Sequence, residues 1–221
     1  SDLKNKLSST IDEKALVGQV AYYSKVLYRF KKNAEGRWIK TTETSLKILN
    51  ETGVNQFSTM TFSFNSLNEN LYVNSLIVKN EEGIIVGKGN VDDYYIQDDA
   101  TQTLKTYEQI LNVPVPQLFP GCTIDMVCTL DMGKQETLSF QSILFFSNYP
   151  IMSIGCAIYH DKNELLLKVK NGGVLEPFEG GHSVIINAPP VFVNEEGQVP
   201  YFDYLPVLYI SGKNENWPDI G

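Results

Sequence analysis

The clearest signal in the sequence is an alternation of apolar and polar residues. In the stretch TMTFSF, residues 59–64, Met60, Phe62 and Phe64 occupy every second position and hydroxyl-bearing side chains occupy the others. Side chains of a strand point alternately to opposite faces, so this pattern predicts an antiparallel strand with one face buried and one in solvent.

Similar runs recur along most of the chain, separated by turns that contain Gly, Pro or Asn. We predict strands over residues 22–30, 38–49, 59–64, 71–79, 84–86, 122–130, 138–146, 151–159, 165–169, 182–187 and 205–210. Residues 102–121 have ambiguous spacing, but their prolines forbid a helix over the second half, so we expect them to be extended. About a dozen short strands at roughly 8–12-residue spacing indicate an all-β fold, either an antiparallel β-sandwich or two packed sheets.

Few segments favour any other structure. Thr10 and Glu13 fit a capping box, which predicts a short N-terminal helix over residues 11–17. The stretch NETG, residues 50–53, is predicted to be a turn in which Gly53 takes a positive φ. We therefore divide the chain into a helical lead-in (residues 1–18), a β domain (residues 19–211) and a polar linker (residues 212–221).

Charge and length argue against several classes of function. The formal net charge of the 221 residues is −8, whereas nucleic acids and anionic membranes attract basic surfaces. No apolar run reaches the roughly 20 residues that span a bilayer. The first ten residues lack the apolar core of a signal peptide. We therefore expect a globular domain without a transmembrane segment or a nucleic-acid partner.

The three cysteines do not form a disulfide framework, because their number is odd. Cys122 and Cys128 share one predicted strand and would lie about 20 Å apart, beyond the about 7 Å between Cα atoms that a disulfide tolerates. Cys128 and Cys156 lie on different predicted strands, so a bridge between them remains open. The alternative is three buried free thiols.

The residues that catalysis most often uses are sparse. The chain has two histidines, and Cys156 and His160 are the one pair that suggests a nucleophile with its base. On a single strand these residues would be about 13 Å apart, whereas proton transfer needs about 3 Å. We therefore expect a core cysteine and a surface histidine, and no catalytic residue in this chain.

Two acidic groups match no metal-binding signature. Glu176, Glu179 and His182 lie in a Gly-rich stretch, and their spacing fits no established set of metal ligands. Residues 91–100, VDDYYIQDDA, lack the pattern of a calcium-binding loop. We expect both groups to be solvated surface, and we predict no metal and no cofactor.

Five stretches in fixed order carry a resemblance to a known family. They are KILNETG at 47–53, a hairpin over 73–86, LFPGCTIDMVC at 118–128, the paired strands of 138–166, and LPVLYISGKNENWPDIG at 205–221. Together they resemble a bacterial domain of unknown function that lies immediately N-terminal to a transglutaminase-like domain and is common in Bacteroidetes. The family more often has a second Gly shortly after the Pro-Gly pair, and this chain lacks it. The resemblance covers roughly residues 20–221.

The resemblance implies an exported protein, periplasmic or at the cell surface or secreted, whose catalytic Cys, His and Asp lie in the next domain. None of Cys122, Cys128 and Cys156 takes one of those roles. Trp217 and Ile220 would belong to the exit into that domain, and we regard them as candidate interface residues.

Two functions are therefore expected. The first is a non-catalytic β domain that accompanies a transglutaminase-like, papain-type domain and positions substrate for it. The alternative is an independent module that binds carbohydrate or another surface. For that module Tyr94 and Tyr95, in the acidic segment, are the candidate contact residues, because exposed aromatics mark binding surfaces.

Overall fold

The computed structural model describes residues 6–7, 10–98, 107–133, 138–161, 164–193 and 200–213. One short α-helix, α1 (Glu51–Gln56), and three 3₁₀ turns (Glu13–Leu16, Val91–Asp93 and Tyr201–Asp203) accompany fourteen strands in these segments. The strands are β1 (Ala21–Lys32), β2 (Trp38–Ile48), β3 (Thr59–Asn65), β4 (Asn70–Lys79), β5 (Ile85–Lys88), β6 (Tyr95–Asp98), β7 (Glu108–Pro114), β8 (Thr123–Asp131), β9 (Gln141–Leu144), β10 (Ser153–Tyr159), β11 (Leu165–Lys170), β12 (Glu176–Phe178), β13 (Gly181–Asn187) and β14 (Val207–Gly212). Within these segments, no helix has the length and apolar character needed to cross a membrane.

The strands form three sheets. The largest has the order β12-β13-β10-β1-β2-β8-β4-β5, and the two smaller ones have the orders β11-β14-β9 and β3-β7-β6. The pairing of β1 with β10 is parallel, and the other pairings of these strands are antiparallel. The predicted all-β fold is confirmed, but the strands group into three sheets rather than the two that we expected.

One face of the eight-stranded sheet, which we call the inner face, contributes to two separate apolar clusters. The first cluster joins this face to β9, β11 and β14 and includes Phe30, Trp38 and Ile210, all fully buried. The second cluster joins the face to β3 and β7, and includes Leu46 and Val113. The inner face is therefore covered in two halves, one by each small sheet.

The alternating stretch at residues 59–64 behaves as predicted. It forms β3, and Met60, Phe62 and Phe64 pack against the second apolar cluster. Thr61 and Ser63, at the intervening positions, are exposed. The period of two therefore identifies both the strand and its buried side correctly.

The predicted N-terminal helix over residues 11–17 is wrong. The chain forms only a 3₁₀ turn at Glu13–Leu16, and the side chain of Asp12 caps it by accepting a hydrogen bond from Lys14 N at 3.0 Å. No residue of this turn is buried. A helix shorter than about 12–15 residues depends on tertiary packing, and a turn without a fully buried residue provides little of it.

The predicted turn at residues 50–53 is also wrong, since these residues begin α1. The side chain of Asn50 caps the helix by accepting a hydrogen bond from Gly53 N at 3.0 Å. Gly53 has helical geometry rather than a positive φ, and a Cβ there would lie 2.3 Å from the carbonyl oxygen of Val20. Glycine is required because two backbone segments touch, and not because of its conformational freedom.

The three cysteines are buried and free. Cys156 on β10 and Cys128 on β8 are separated by β1 and β2 in the sheet. Three strand spacings amount to about 14 Å, which is too far for a disulfide. The bridge that the sequence left open is therefore excluded, and the alternative of free thiols holds.

The contact at Gly53 predicts a specific effect on stability. Gly53→Ala should destabilise the fold by about 1–3 kcal/mol because the new methyl group overlaps the Val20 carbonyl, although Ala in a helix is normally favoured over Gly by about 1 kcal/mol. Asn55→Ala, at an exposed position of the same helix, should change stability by less than about 0.5 kcal/mol. Urea unfolding of both variants measures the difference, and a stabilising Gly53→Ala would contradict the contact.

Candidate functional site

A cavity of about 290 Å³ lies between β3 and the inner face of the eight-stranded sheet. This volume is near the lower end of the range of ligand pockets, about 300–1,000 Å³. The walls combine one lysine with hydroxyl-bearing and apolar residues of four strands. They are Lys40 and Thr42 from β2, Thr61, Phe62 and Ser63 from β3, Leu71 from β4, and Cys128 and Leu130 from β8.

Lys40 faces the cavity because of its position in β2. Like Trp38 and Leu46, it occupies an even-numbered position of the strand and therefore points to the same face. Trp38 and Leu46 are both fully buried on this inner face. In the sheet it pairs with Phe30 of β1 on one side and with Leu130 of β8 on the other. A lysine is thus held on a face that is otherwise apolar along this row.

The ammonium group of Lys40 has little compensation for its burial. Its Nζ lies 5.5 Å from the ring centre of Tyr28 and 6.0 Å from that of Phe30. Among the described residues it makes no hydrogen bond or ion pair. Burial lowers the pKa of Lys40, and weaker effects of Cys156 and Glu69 oppose this. An ammonium group can donate three hydrogen bonds, so Lys40 offers unused donors to the cavity.

β3, which forms one wall of the cavity, is an edge strand that pairs with β7 alone among the described strands. The carbonyl of Ser58 accepts a hydrogen bond from Val115 N at 2.9 Å, and Ser66 N donates to the carbonyl of Tyr107 at 2.8 Å. In an antiparallel pair such bonds recur at every second residue. The even-numbered residues of β3 therefore bond to β7, and the odd-numbered ones direct their backbone groups to the opposite edge.

This opposite edge is open beside the cavity. The backbone N–H and C=O groups of Thr59, Thr61 and Ser63 point toward it and have no partner among the described residues. The edge ends at Asn65, whose N–H donates to the Glu69 carboxylate at 2.8 Å. A five-residue stretch, 59–63, is thus available for strand pairing.

The two histidines form a pair at another edge of the fold. His160 Nδ1 lies 2.9 Å from the carbonyl oxygen of Asp161, which can only accept, so Nδ1 of His160 carries a proton. His160 Nε2 lies 2.9 Å from His182 Nδ1, and the rings are stacked with centres 5.1 Å apart. In the neutral pair His182 donates to His160. Burial, and then the charge of His160, lowers the pKa of His182.

The suspected nucleophile pair does not have the arrangement that catalysis needs. Cys156 is fully buried in β10, whereas His160 follows that strand and bonds to His182. Burial raises the pKa of the Cys156 thiol, which disfavours the reactive thiolate. In the described part of the chain, no three His, Cys, Asp or Glu residues are grouped so that they could hold a metal ion.

The other predicted site residues have different surroundings. Tyr95, at the start of β6, is 47% exposed. Tyr94 is half-buried and packs against the second apolar cluster, so the two rings do not share one environment. Trp217 and Ile220 lie outside the described residues.

Sequence reasoning missed Lys40 and the open edge of β3. The inward direction of Lys40 could have been predicted, because Trp38 and Leu46 mark the even-numbered positions of β2 as the buried ones. The open edge was not available from the sequence, since it depends on which distant strand pairs with β3.

The structure thus defines an all-β domain with an edge strand above a lysine-containing cavity. The model of a family described as a domain of unknown function with a solved structure, DUF3857, matches residues 34–173. Since this match covers more than half of the chain, the chain belongs to that family. The comparison with curated proteins finds no match.

This chain spans less than half the length of three solved structures that it matches. A protein from Parabacteroides distasonis ATCC 8503, named "putative protease", has a TM-score of 0.75 and 17% identity over 87% of this chain and 40% of its own. Leukotriene A4 hydrolase from Saccharomyces cerevisiae has a TM-score of 0.44 and 11% identity, over 96% of this chain and 32% of its own. An M1 zinc metallopeptidase from Deinococcus radiodurans has a TM-score of 0.39 and 10% identity, over 87% of this chain and 42% of its own. At these identities the first likeness shows a shared fold alone, and the other two are too weak to support an argument.

The histidine pair predicts a pH dependence. Because the pKa of His182 in the folded chain lies below its ordinary value of 6.5, the unfolded chain binds more protons as the pH falls below about 6.5. The contribution of His182 to stability should therefore be present above this pH and fall below it. NMR titration of the two histidines, the only ones in the sequence, should give a pKa for His182 below 6.5.

His160→Gln is the matched variant for this titration, because it removes the neighbouring charge and keeps a polar side chain. It should move the pKa of His182 upward, toward 6.5, while the burial of His182 keeps part of the shift. An unchanged pKa in the variant would show that the two rings do not interact.

Proposed function

We propose that this chain is the non-catalytic β domain of a longer, exported bacterial protein. In that protein it accompanies a transglutaminase-like, papain-type catalytic domain and positions substrate for it. The observation that carries the proposal is the likeness to the Parabacteroides protein, which shares the fold over 87% of this chain while 60% of its own length lies outside the match, since the match covers 40% of it. The protease activity that its name indicates would then belong to the part of that protein outside the match.

The cysteines of this chain support catalysis elsewhere in the protein. Burial raises the pKa of Cys128 to about 12 and also raises that of Cys156. A nucleophilic cysteine instead needs a lowered pKa and access to substrate. Both thiols are better explained as parts of the apolar core, to which Cys128 and Cys156 belong.

The linker and export remain part of the proposal. The linker predicted over residues 212–221 would begin one residue later, because β14 ends at Gly212. It would lead into the catalytic domain, where Trp217 and Ile220 would pack at the domain interface, because large apolar side chains are favoured there. The protein would act in the periplasm, at the cell surface or after secretion.

A second function, an independent carbohydrate- or surface-binding module, is favoured by one observation. Tyr95 and Ile96, adjacent on the edge strand β6, are 47% and 54% exposed. Exposed aromatic and apolar side chains at a sheet edge suit a binding surface. Tyr94 would contribute less to such a surface, because it is half-buried.

The main proposal predicts that this chain alone is catalytically silent. Incubation with an amine donor and a Gln-containing protein should give no cross-linking, and incubation with casein should give no cleavage. The longer protein should show one of these activities, and Cys156→Ser should leave that activity intact. Activity of the isolated chain that disappears in Cys156→Ser would contradict the proposal.

The same pair of proteins tests the interface. With Trp38 replaced by Phe, Trp217 is the remaining tryptophan, and its emission should shift to the blue when the downstream domain is attached. Identical blue-shifted emission with and without that domain would place Trp217 in the core of this domain.

A further inference from the structure

We propose that the open edge of β3 binds an extended peptide segment of a partner protein. The segment adds a strand along residues 59–63 and places an acidic side chain in the cavity beside Lys40. This inference does not depend on whether the downstream domain is a transglutaminase.

The backbone of β3 carries the first part of the argument. Thr59, Thr61 and Ser63 direct N–H and C=O groups away from β7, and these groups have no partner among the described residues. Such an edge is a template for strand addition, in which main-chain hydrogen bonds supply affinity. The bond from Asn65 to Glu69 closes the edge at one end, so the added strand pairs with about five residues.

The cavity carries the second part. Residues paired across two strands point to the same face of a sheet, so the partner residue opposite Phe62 points inward with it. Phe62 lines the cavity together with Lys40, Thr42 and Leu130. The inward residue thus enters a site that has one cation and a hydroxyl among apolar walls.

The charge of the site selects the occupant. Lys40 forms no ion pair with the described residues, although the chain has a net charge of −8 and 26 acidic residues. Removing an ammonium group from water is costly, and Glu69, a carboxylate that acts on Lys40, offsets this burial only in part. A carboxylate placed directly beside Lys40 forms a charge-assisted hydrogen bond. The neighbouring inward positions of the segment would face Leu71 and Leu130 and should therefore be apolar.

The position of the cavity favours an acidic side chain over a chain terminus. Thr61, Phe62 and Ser63 are in the middle of the strand, so a segment that reaches Lys40 can continue along β3 in both directions. A C-terminal carboxylate at this place would leave part of the free edge unpaired. The partner segment is therefore internal and alternates apolar and polar residues, with one acidic residue among the inward ones.

The test uses a panel of capped seven-residue peptides and the full 221-residue chain. Each peptide has Thr at its four odd positions, Glu in the middle, and Val, Leu or Phe at its second and sixth positions. We expect binding that shifts the NMR amide signals of Thr61 and Ser63 in particular. Replacing the central Glu by Gln should weaken binding about tenfold or more, since one charge-assisted bond is lost.

Two sets of variants separate the carboxylate from the backbone contribution. Lys40→Met keeps the length of the side chain and should remove the preference for Glu over Gln. Thr61→Pro removes an outward N–H that β7 does not use and should abolish binding, whereas Thr61→Ala keeps the N–H and should bind normally. Circular dichroism and thermal unfolding establish that each variant is folded.

Several results would overturn the inference. They are equal affinity for the Glu and Gln peptides, unchanged Glu preference in Lys40→Met, or failure of every panel member to bind at about 1 mM. Tighter binding of a shorter peptide that ends in a free carboxylate would assign the site to a chain terminus. Self-association of the chain that is lost in Thr61→Pro would assign the edge to a second copy.

Discussion

The whole fold depends on covering the apolar inner face of one eight-stranded sheet. Phe30, Trp38 and Leu46 on this face are fully buried, and each side chain of this kind contributes about 1.5–3 kcal/mol when it leaves water. No single small sheet provides that cover; β9, β11 and β14 bury one half and β3 and β7 bury the other. Lys40 and Thr42 belong to neither apolar cluster, and the cavity lies at this place.

Covering one large sheet with two small ones also creates edges. A three-stranded sheet has two outer strands, and an exposed edge invites pairing with another chain. In β3 the outward-facing backbone belongs to Thr59, Thr61 and Ser63, so the edge is polar and short. Short polar edges favour indiscriminate association less than long apolar ones, and the outward groups of β3 have no partner among the described residues. In the proposed complex, Lys40 below the same edge would add a preference for an acidic side chain.

The sequence predicted the structure where local pattern decides it. The alternation in β3 and the apolar run that became β14 identified real strands, because both follow from the two-residue period of side-chain direction. The errors arose where distant segments meet. Gly53 indicated a turn, but the reason for its presence is the carbonyl of Val20, more than thirty residues earlier in the chain.

The arrangement into sheets could not be read in the same way. β1 pairs in parallel with β10, although more than 100 residues separate Val26 from its partner Ile154. The site combines a feature that local pattern decides with one that long-range pairing decides. The inward direction of Lys40 follows from its even-numbered position in β2, whereas the open edge of β3 depends on which distant strands pair. Spacing along one strand predicted a wide separation of Cys156 and His160, and in the structure Cys156 is buried while His160 bonds to His182.

The central claim is that the backbone of β3 is hydrogen-bonded to β7 along one edge and unpaired along the other. Amide hydrogen exchange of the isolated chain, followed residue by residue by NMR, tests this claim most directly. The amides of Phe62 and Phe64, which bond to β7, should be strongly protected, while those of Thr61 and Ser63 should exchange much faster. Equal and strong protection of all four amides would show that the edge is already paired and would contradict the account.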